Sequence, residues 1–474
     1  MDDSCMVNLR VEKGNLNSSL RRIQHLVDRI FCEPINVGKV FGSSRLDSLC
    51  QEVGRLNLLR LKKEKHSLKR ENITVYIASK PQASGGHTAA LIDVIRLSPP
   101  SRSIVIVTNT CGRTNRTAVE QRFRALPDVE VEYVPRGDHL SKLTWLQQRL
   151  IELAPDTVWL FNHHQDSVAI AAVQPDMGYR VSFYHHGDDR LCLGVYLSYA
   201  EHFDPLPFAF HNCRDVLGIM GNRYLPLVSP DQGERPRNLG HIKQPGLITC
   251  TAGGFNKVEV DYFIRYVDVV PEILHVTGGR HIHIGRLTPL ALWRIRNGLR
   301  KLGITPDSFV HIPYVPSVWR TLHEYGVDVY VASFPYGGGR TLVEVMGAGV
   351  PAAIHSHCTS RMFGGFDMAY EGALIWRDPE ELYAFLRSAD RQSLDHQGKL
   401  ARRWYETYHR DEIVRDALGQ AGRSLDAPRL RPGFLPDAFM QAWQTSCEVT
   451  LGGVLNRVIW RNYRRWQALL GRLF

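Results

Sequence analysis

The chain has no long apolar run: nothing in it approaches the roughly 18 consecutive apolar residues of a membrane-spanning helix. Its start, MDDSCMVNLRVEKGN, lacks the basic stretch and apolar core of a secretory signal, so a cytoplasmic protein is expected. The nine cysteines are an odd number and never form a C-x-x-C pair. That pattern fits free thiols in a reducing compartment better than a disulfide frame. The first βα turn reads A-S-G-G-H-T where a dehydrogenase would carry G-x-G-x-x-G, which argues against hydride transfer. Neither an H-x-x-x-H pair nor a D-x-D stands between the strands, so no metal is expected. The basic run LRLKKEKHSLKR (Leu59 to Arg70) has no interleaved aromatics and matches no nucleic-acid module. It reads as a solvated helix face, and nucleic acid is not an expected partner.

What is present describes a folded protein of two domains. At 474 residues, with 44% hydrophobic and 22% charged residues, the chain is long enough for two cores and ordinary in composition. Its net charge of +10 fits either a basic soluble enzyme or one drawn to phosphorylated donors, anionic glycans or lipid head groups.

Residues 1–70 are mixed, and SLRRIQHLVDRIF (Ser19 to Phe31) has apolar residues at helical spacing. From Ile73 the apolar runs ITVYIAS, SIVIVTN, VEVEYVP, DTVWLFN and YRVSFYHHG alternate with helical stretches such as Thr114 to Leu126 and Asp138 to Leu153. Strands separated by helices imply a parallel sheet covered on both faces, with the strand C-terminal ends along one edge. Three polar groups fall on that edge: Gly85, Gly86 and His87 after the first strand; Asn162, His163, His164, Gln165 and Asp166 after DTVWLF; and His185, His186, Gly187, Asp188 and Asp189 after RVSFY. A polar, proline-containing stretch, Ser229 to Gly246, reads as a linker.

The alternation then resumes. LITCTAGGFNKVEVDYFIRYV reads as strand, glycine turn and helix, with Gly253, Gly254, Phe255, Asn256 and Lys257 at the helix start. A lysine in a helix's first turn opposes the helix dipole and is better explained if an anion visits. ILHVTGG reads as the next strand, then a helix from Pro289 with Thr288 as its cap, then FVHIPYVPS. The stretch Val327 to His355, VDVYVASFPYGGGRTLVEVMGAGVPAAIH, organises the rest. It gives a strand, a loop with Gly337, Gly338 and Gly339, a helix from about Arg340 to Gly349, and a further strand. Glycines at a strand end let backbone N–H groups approach a phosphate, and a helix N-terminus adds partial positive charge. Arg340 adds a full charge and Thr341 a hydroxyl. Glu344, one helical turn past Arg340, is placed to accept hydrogen bonds from two sugar hydroxyls.

The pattern SFPYGGGRTLVEVMGAGVPAAI resembles the donor-site signature of GT-B glycosyltransferases, in particular retaining enzymes with two glutamates eight positions apart. Glu344 matches the second glutamate, and Tyr336 stands where the first would be. The loop is also similar to that of protein O-GlcNAc transferase and its bacterial relatives, with Gly339, Arg340 and Thr341 in place of their G-H-T-T run. The resemblance implies a ribose ligand in Glu344 and a diphosphate site at Gly254, Asn256, Lys257, Gly338, Gly339, Arg340 and Thr341. It also implies a nucleobase framed by His311, Ile312, Tyr314 and Val315. Gly85, Gly86 and His87 resemble the family's first-lobe loop, which with His163 and His185 would line the acceptor side. Glycosyl transfer benefits from a base for the acceptor proton, and His186, Asp188, Asp166 and His87 are the candidates. The loop holding Ser360, Arg361, Gly364 and Gly365 is a candidate cover for the donor sugar. No cofactor or metal is expected beside the nucleotide-sugar co-substrate.

The expected fold is therefore α/β of the GT-B type, two facing Rossmann-like doubly wound parallel-sheet lobes. Expected boundaries are 1–70 for a helical extension, 71–235 for the acceptor lobe, 236–415 for the donor lobe and 416–474 for C-terminal helices. The expected activity is transfer of a sugar from a nucleotide-diphosphate sugar, with UDP favoured, to a hydroxyl of a glycan, lipid-linked or protein acceptor. A nucleotide-sugar epimerase of the same fold and a non-catalytic scaffold are the alternatives. VLNRVIWRNYRRWQALLGRLF at the end carries five arginines and no acid, opposite an aromatic and aliphatic side. It suits binding at an anionic membrane surface, with a helix packed on the lobes and its arginines exposed as the alternative.

Overall fold

The computed structural model describes residues 9–32, 40–61, 72–82, 85–187, 190–234, 246–260, 262–357, 361, 363, 365–419 and 425–434. Residues 62–70 of the basic run, residues 235–245 of the expected linker, Asp188, Asp189, Ser360, Gly364 and the basic C-terminal segment lie outside them. The chain divides into two units, residues 1–225 with 415–427, and residues 226–414 with 428–474.

The first unit begins with α1 (Leu16–Cys32) and α2 (Ser44–Leu58). Then follow β1 (Ile73–Ala78), α3 (Gly86–Leu97), β2 (Arg102–Val107), α4 (Arg116–Phe123), β3 (Val129–Tyr133), α5 (His139–Leu153), β4 (Thr157–Phe161), α6 (Ser167–Ala172) and β5 (Arg180–Tyr184). It ends with β6 (Ala200–Asp204), α7 (Pro207–His211), a π-helical turn (Asn212–Val216) and β7 (Arg223–Tyr224). The strands form one parallel sheet in the order β3-β2-β1-β4-β5-β6-β7. Val75 pairs with Ile104 on one side and Val158 on the other, and all three are buried. Such near-continuous apolar strands are what a sheet covered on both faces requires. The N-terminal helices are one of those covers. Leu16, Leu20, Ile23, Val27, Leu46, Cys50 and Val53 belong to the same core as the sheet and α6. A Cβ on Gly54 of α2 would come 1.8 Å from Ala171 O, so only glycine permits that helix–helix approach.

The second unit contains β8 (Ile248–Ala252), α8 (Phe255–Val258), α9 (Tyr266–Thr277), β9 (Arg280–Ile284), α10 (Pro289–Lys301), β10 (Phe309–Ile312) and α11 (Val318–Glu324). It continues with β11 (Val329–Val331), α12 (Gly339–Gly347), β12 (Ala352–His355), β13 (Leu374–Trp376), α13 (Pro379–Ser388) and α14 (Arg391–Tyr408). A last helix, α15 (Asp411–Gly419), starts in this unit and ends in the first. The parallel sheet has the order β10-β9-β8-β11-β12-β13. One expectation is corrected here: ILHVT is the end of α9, and the strand is RHIHI, which starts at Arg280 after the two glycines. A short apolar run carries no periodicity to separate a buried helix from a strand, and α9 is buried on most of its surface. The expected cap fits, since Thr288 accepts a backbone N–H at the start of α10, and Asp138 and Asp378 do the same at the start of α5 and α13.

In both sheets the chain reverses its winding direction beside the first strand of the unit. The reversal lies between β1 and β4 in the first unit and between β8 and β11 in the second. Loops leaving the C-terminal ends of two such strands diverge and open a crevice between them.

Candidate functional site

In the second unit that crevice is made by the loops after β8 and β11. Their approach depends on small residues. A Cβ on Gly253 would lie 2.8 Å from Ser333 Cβ, and one on Gly285, whose φ is +131°, would lie 2.4 Å from Gly253 O. Across the crevice Lys257 Nζ donates to Gly337 O at 2.9 Å. No carboxylate among the described residues pairs with this ammonium, and burial lowers its pKa to about 8. Gly338 caps α12 without any side-chain hydrogen bond, so the helix's first turn faces the crevice with its positive end. A Cβ on Gly338 would fall 2.9 Å from Lys257 Nζ and 3.3 Å from Thr341 Oγ1. The bare glycine thus leaves a small space lined by an ammonium, a hydroxyl and a helix N-terminus, the composition of an anion site.

Arg340 is the second residue of α12 and is partly exposed. Glu344 lies one turn on, and its Oε2 accepts the Trp319 N–H at the start of α11 at 3.0 Å. Trp319 is fully buried, donates from Nε1 to Gly233 O and packs edge-on against Tyr405. Glu344 is thereby aimed by a rigid neighbour. Asn256 is exposed on α8, and Tyr314 is 71% exposed in the loop after β10. His311 is turned inward instead, donating from Nε2 to Gly285 O at 2.9 Å. Arg361 departs from its expected role over a donor sugar. It makes a bidentate pair with Asp367 at 2.6 and 2.8 Å and also donates to Arg431 O, so its charge is already met within the protein. Tyr336 packs on Phe363 with ring centroids 4.5 Å apart.

The first unit brings together His87, His163 and His186 at the ends of β1, β4 and β5. His87 stacks on His186 with centroids 4.0 Å apart, and His163 lies 5.0 Å from His87. Burial, with the neighbouring histidines adding to it, pushes His87 well below the usual histidine range, and its Nε2 is buried without a partner. Burial also brings His163 down to about 4. Both rings are therefore neutral near pH 7 and have lone pairs to offer a proton. Gly85, at φ +126°, makes the turn into α3 that carries His87 there, and an added Cβ on Gly85 or Gly86 would meet only open space.

Two expected residues sit elsewhere. Asp166 is fully buried: Oδ1 accepts the Ala169 N–H as the cap of α6, and Oδ2 accepts the Ser79 and Thr108 hydroxyls, each at 2.6 Å. A carboxylate so enclosed holds strand ends together and is not placed to take a proton from a substrate. His185 is also fully buried, beside Asp204 rather than beside His186. Sequence reasoning missed Ser333, Thr108, Ser79 and Trp319. Ser79 and Thr108 directly follow buried strands and Ser333 lies two residues past one, so all three had the signal of position.

No protein-family model and no curated protein matches the chain. Solved structures match it in fold. HepE of Anabaena in complex with UDP aligns at a TM-score of 0.55 and 12% identity, over 73% of this chain and 98% of that one. The apo form of the lipopolysaccharide outer core galactosyltransferase WaaB gives 0.55 and 14%, over 73% and 97%. A glycosyltransferase of Rickettsia africae gives 0.54 and 10%, over 80% and 100%. At such identities the likeness is one of fold. With two doubly wound parallel sheets in these alignments, the chain is a member of the GT-B fold class.

Proposed function

We propose that the chain is a glycosyltransferase that uses a nucleoside diphosphate sugar. The observation that carries this reading is the ammonium of Lys257, set against Gly337 O and the start of α12, with no acid among the described residues to neutralise it. In transfer, the acceptor oxygen bonds to the anomeric carbon while the bond from that carbon to the phosphate oxygen breaks. The diphosphate leaves with the electron pair, and the acceptor proton passes to a base. Lys257 and the α12 N-terminus meet the charge that grows on the leaving group. Glu344, aimed by its bond to Trp319, takes the ribose hydroxyls. His186 and His87 are the proposed bases, and Asp166 leaves that list for the reason given above.

Crystals of HepE hold UDP, which supports a uracil nucleotide for this chain as well. Tyr336, where two-glutamate retaining enzymes carry a glutamate, favours inversion by direct displacement. The acceptor hydroxyl belongs to a glycan, a lipid-linked sugar or a protein. Among the described residues no helix is long and apolar enough to cross a membrane. The arginine-rich segment ending at Phe474 is the proposed contact with an anionic membrane surface. A transferase releases UDP from a UDP-sugar, and Lys257→Ala loses that release; UDP-sugar converted to an isomer without UDP release would favour an epimerase instead.

A further inference from the structure

A second histidine-rich cluster lies beneath the first unit's strand ends, and the proposed transfer chemistry makes no use of it. His185, His202, Asp204 and Cys213 are all buried, three of them completely. Asp204 Oδ1 is 2.9 Å from His185 Nδ1, 3.1 Å from His202 Nε2 and 3.4 Å from Cys213 Sγ, and that sulfur is 3.3 Å from His185 Nδ1. Two imidazoles and a thiol thus converge with a carboxylate on one point. In a tetrahedral zinc site with bonds of about 2.0–2.3 Å, neighbouring donor atoms stand about 3.3–3.6 Å apart. The four separations given above need to widen by at most a few tenths of an ångström to reach that spacing, and all four donor atoms lie within 4.8 Å of one another.

Three parts of the fold supply the donors. His202 and Asp204 are two apart on β6 and so share one face of the strand. His185 follows β5, where its N–H bonds to Phe203 O, and Cys213 sits in the π-helical turn Asn212–Val216. Such turns are uncommon and often mark functional positions. Asp204 Oδ2 is held by Asn222 Nδ2 at 2.7 Å, the kind of outer bond that orients a ligating carboxylate. His185 Nε2 is buried without a partner and does not separate the metal-bound from the metal-free state. The three half-buried histidines His87, His163 and His186 are a poorer set, because the near-parallel stack of His87 on His186 keeps their lone pairs from meeting at one ion.

We infer that His185, His202, Asp204 and Cys213 bind one transition-metal ion of the zinc class in a closed, structural site. Nitrogen, oxygen and sulfur donors in this mixture suit Zn²⁺, and four protein ligands leave no open position for a substrate. The ion ties the end of β5 to β6 and to the π-turn, and so fixes the backbone from which His186 projects.

The test is metal analysis of the full chain, produced in zinc-supplemented medium and purified without chelators. The site predicts about one equivalent of zinc per chain that survives dialysis, falling at least tenfold in Cys213→Ser and in His202→Gln. Cys111→Ser, which removes a thiol outside the cluster, keeps it. Wild-type protein exchanged with Co²⁺ gives a second reading that does not depend on the folding of the ligand variants: a thiolate-to-cobalt charge-transfer band and strong visible absorption of a tetrahedral ion. Wild-type chain that carries no zinc and gives no such cobalt spectrum overturns the inference and leaves a hydrogen-bonded cluster.

Discussion

Lys257 Nζ donates to Gly337 O at 2.9 Å, and so joins the loop after β8 to the loop after β11 across the place where the second sheet reverses its winding. The lysine is 80 residues from its partner in sequence. A lone carbonyl is a weak counterpart for an ammonium, and a diphosphate in the same space is a far stronger one.

The protonation of Lys257 should respond to the ligand. Burial depresses its folded value from 10.5 to about 8, so its contribution to stability is full above 10.5 and is lost as pH falls through about 8. An anion beside the amine restores the charged form. Binding of UDP above about pH 8 should therefore take up close to one proton. Calorimetry in buffers of different ionisation enthalpy measures that number. It should vanish in Lys257→Met.

Gly338→Ala should weaken nucleotide binding without unfolding the protein. The new methyl would stand 2.9 Å from Lys257 Nζ, the far end of a flexible side chain that can move aside. Its cost then appears in the anion space rather than in the core. A loss of about tenfold in affinity or more, or about 1.4 kcal/mol, is expected by titration, with an unchanged melting curve.

Gly347→Ala should act in the opposite way, on stability. Its Cβ would lie 2.1 Å from the ring of buried Trp319, whose backbone N–H holds Glu344. Overpacking of this kind costs about 1–3 kcal/mol. Denaturant midpoints should fall, and nucleotide affinity with them, because Trp319 aims the carboxylate.

Asp166→Ala should destabilise the first unit rather than remove a base. The change strips the cap of α6, worth about 1 kcal/mol, and strands the buried hydroxyls of Ser79 and Thr108. A fall in melting temperature is expected with the pH profile of turnover unchanged in shape. His186→Ala should leave melting nearly unaltered and lower turnover at every pH. The reverse pattern would restore Asp166 as the base.

These contrasts also mark how far the chain could be read without its structure. Lys257 and Gly338 were legible because a cation at a helix start and glycines at a strand end are local signals with local causes. The two parallel sheets were legible from apolar runs alternating with helices. Asp166 was not, since its burial comes from Ser79 and Thr108, which lie 87 and 58 residues away. The ligand set at Asp204 escaped for the same reason: its members are spaced 17, 2 and 9 residues apart, and only the packing of β5, β6 and the π-turn makes them neighbours. Arg361 looked free as a lone arginine in a glycine loop, and Asp367 six residues later proved to be its partner.

The most direct measurement is calorimetric titration of UDP, GDP and ADP into the wild-type chain, Lys257→Ala and Glu344→Ala. A donor site at the start of α12 predicts that UDP binds the wild type best, and that each variant weakens it by about tenfold or more. Wild-type protein that binds none of the three nucleotides would contradict the proposed transferase.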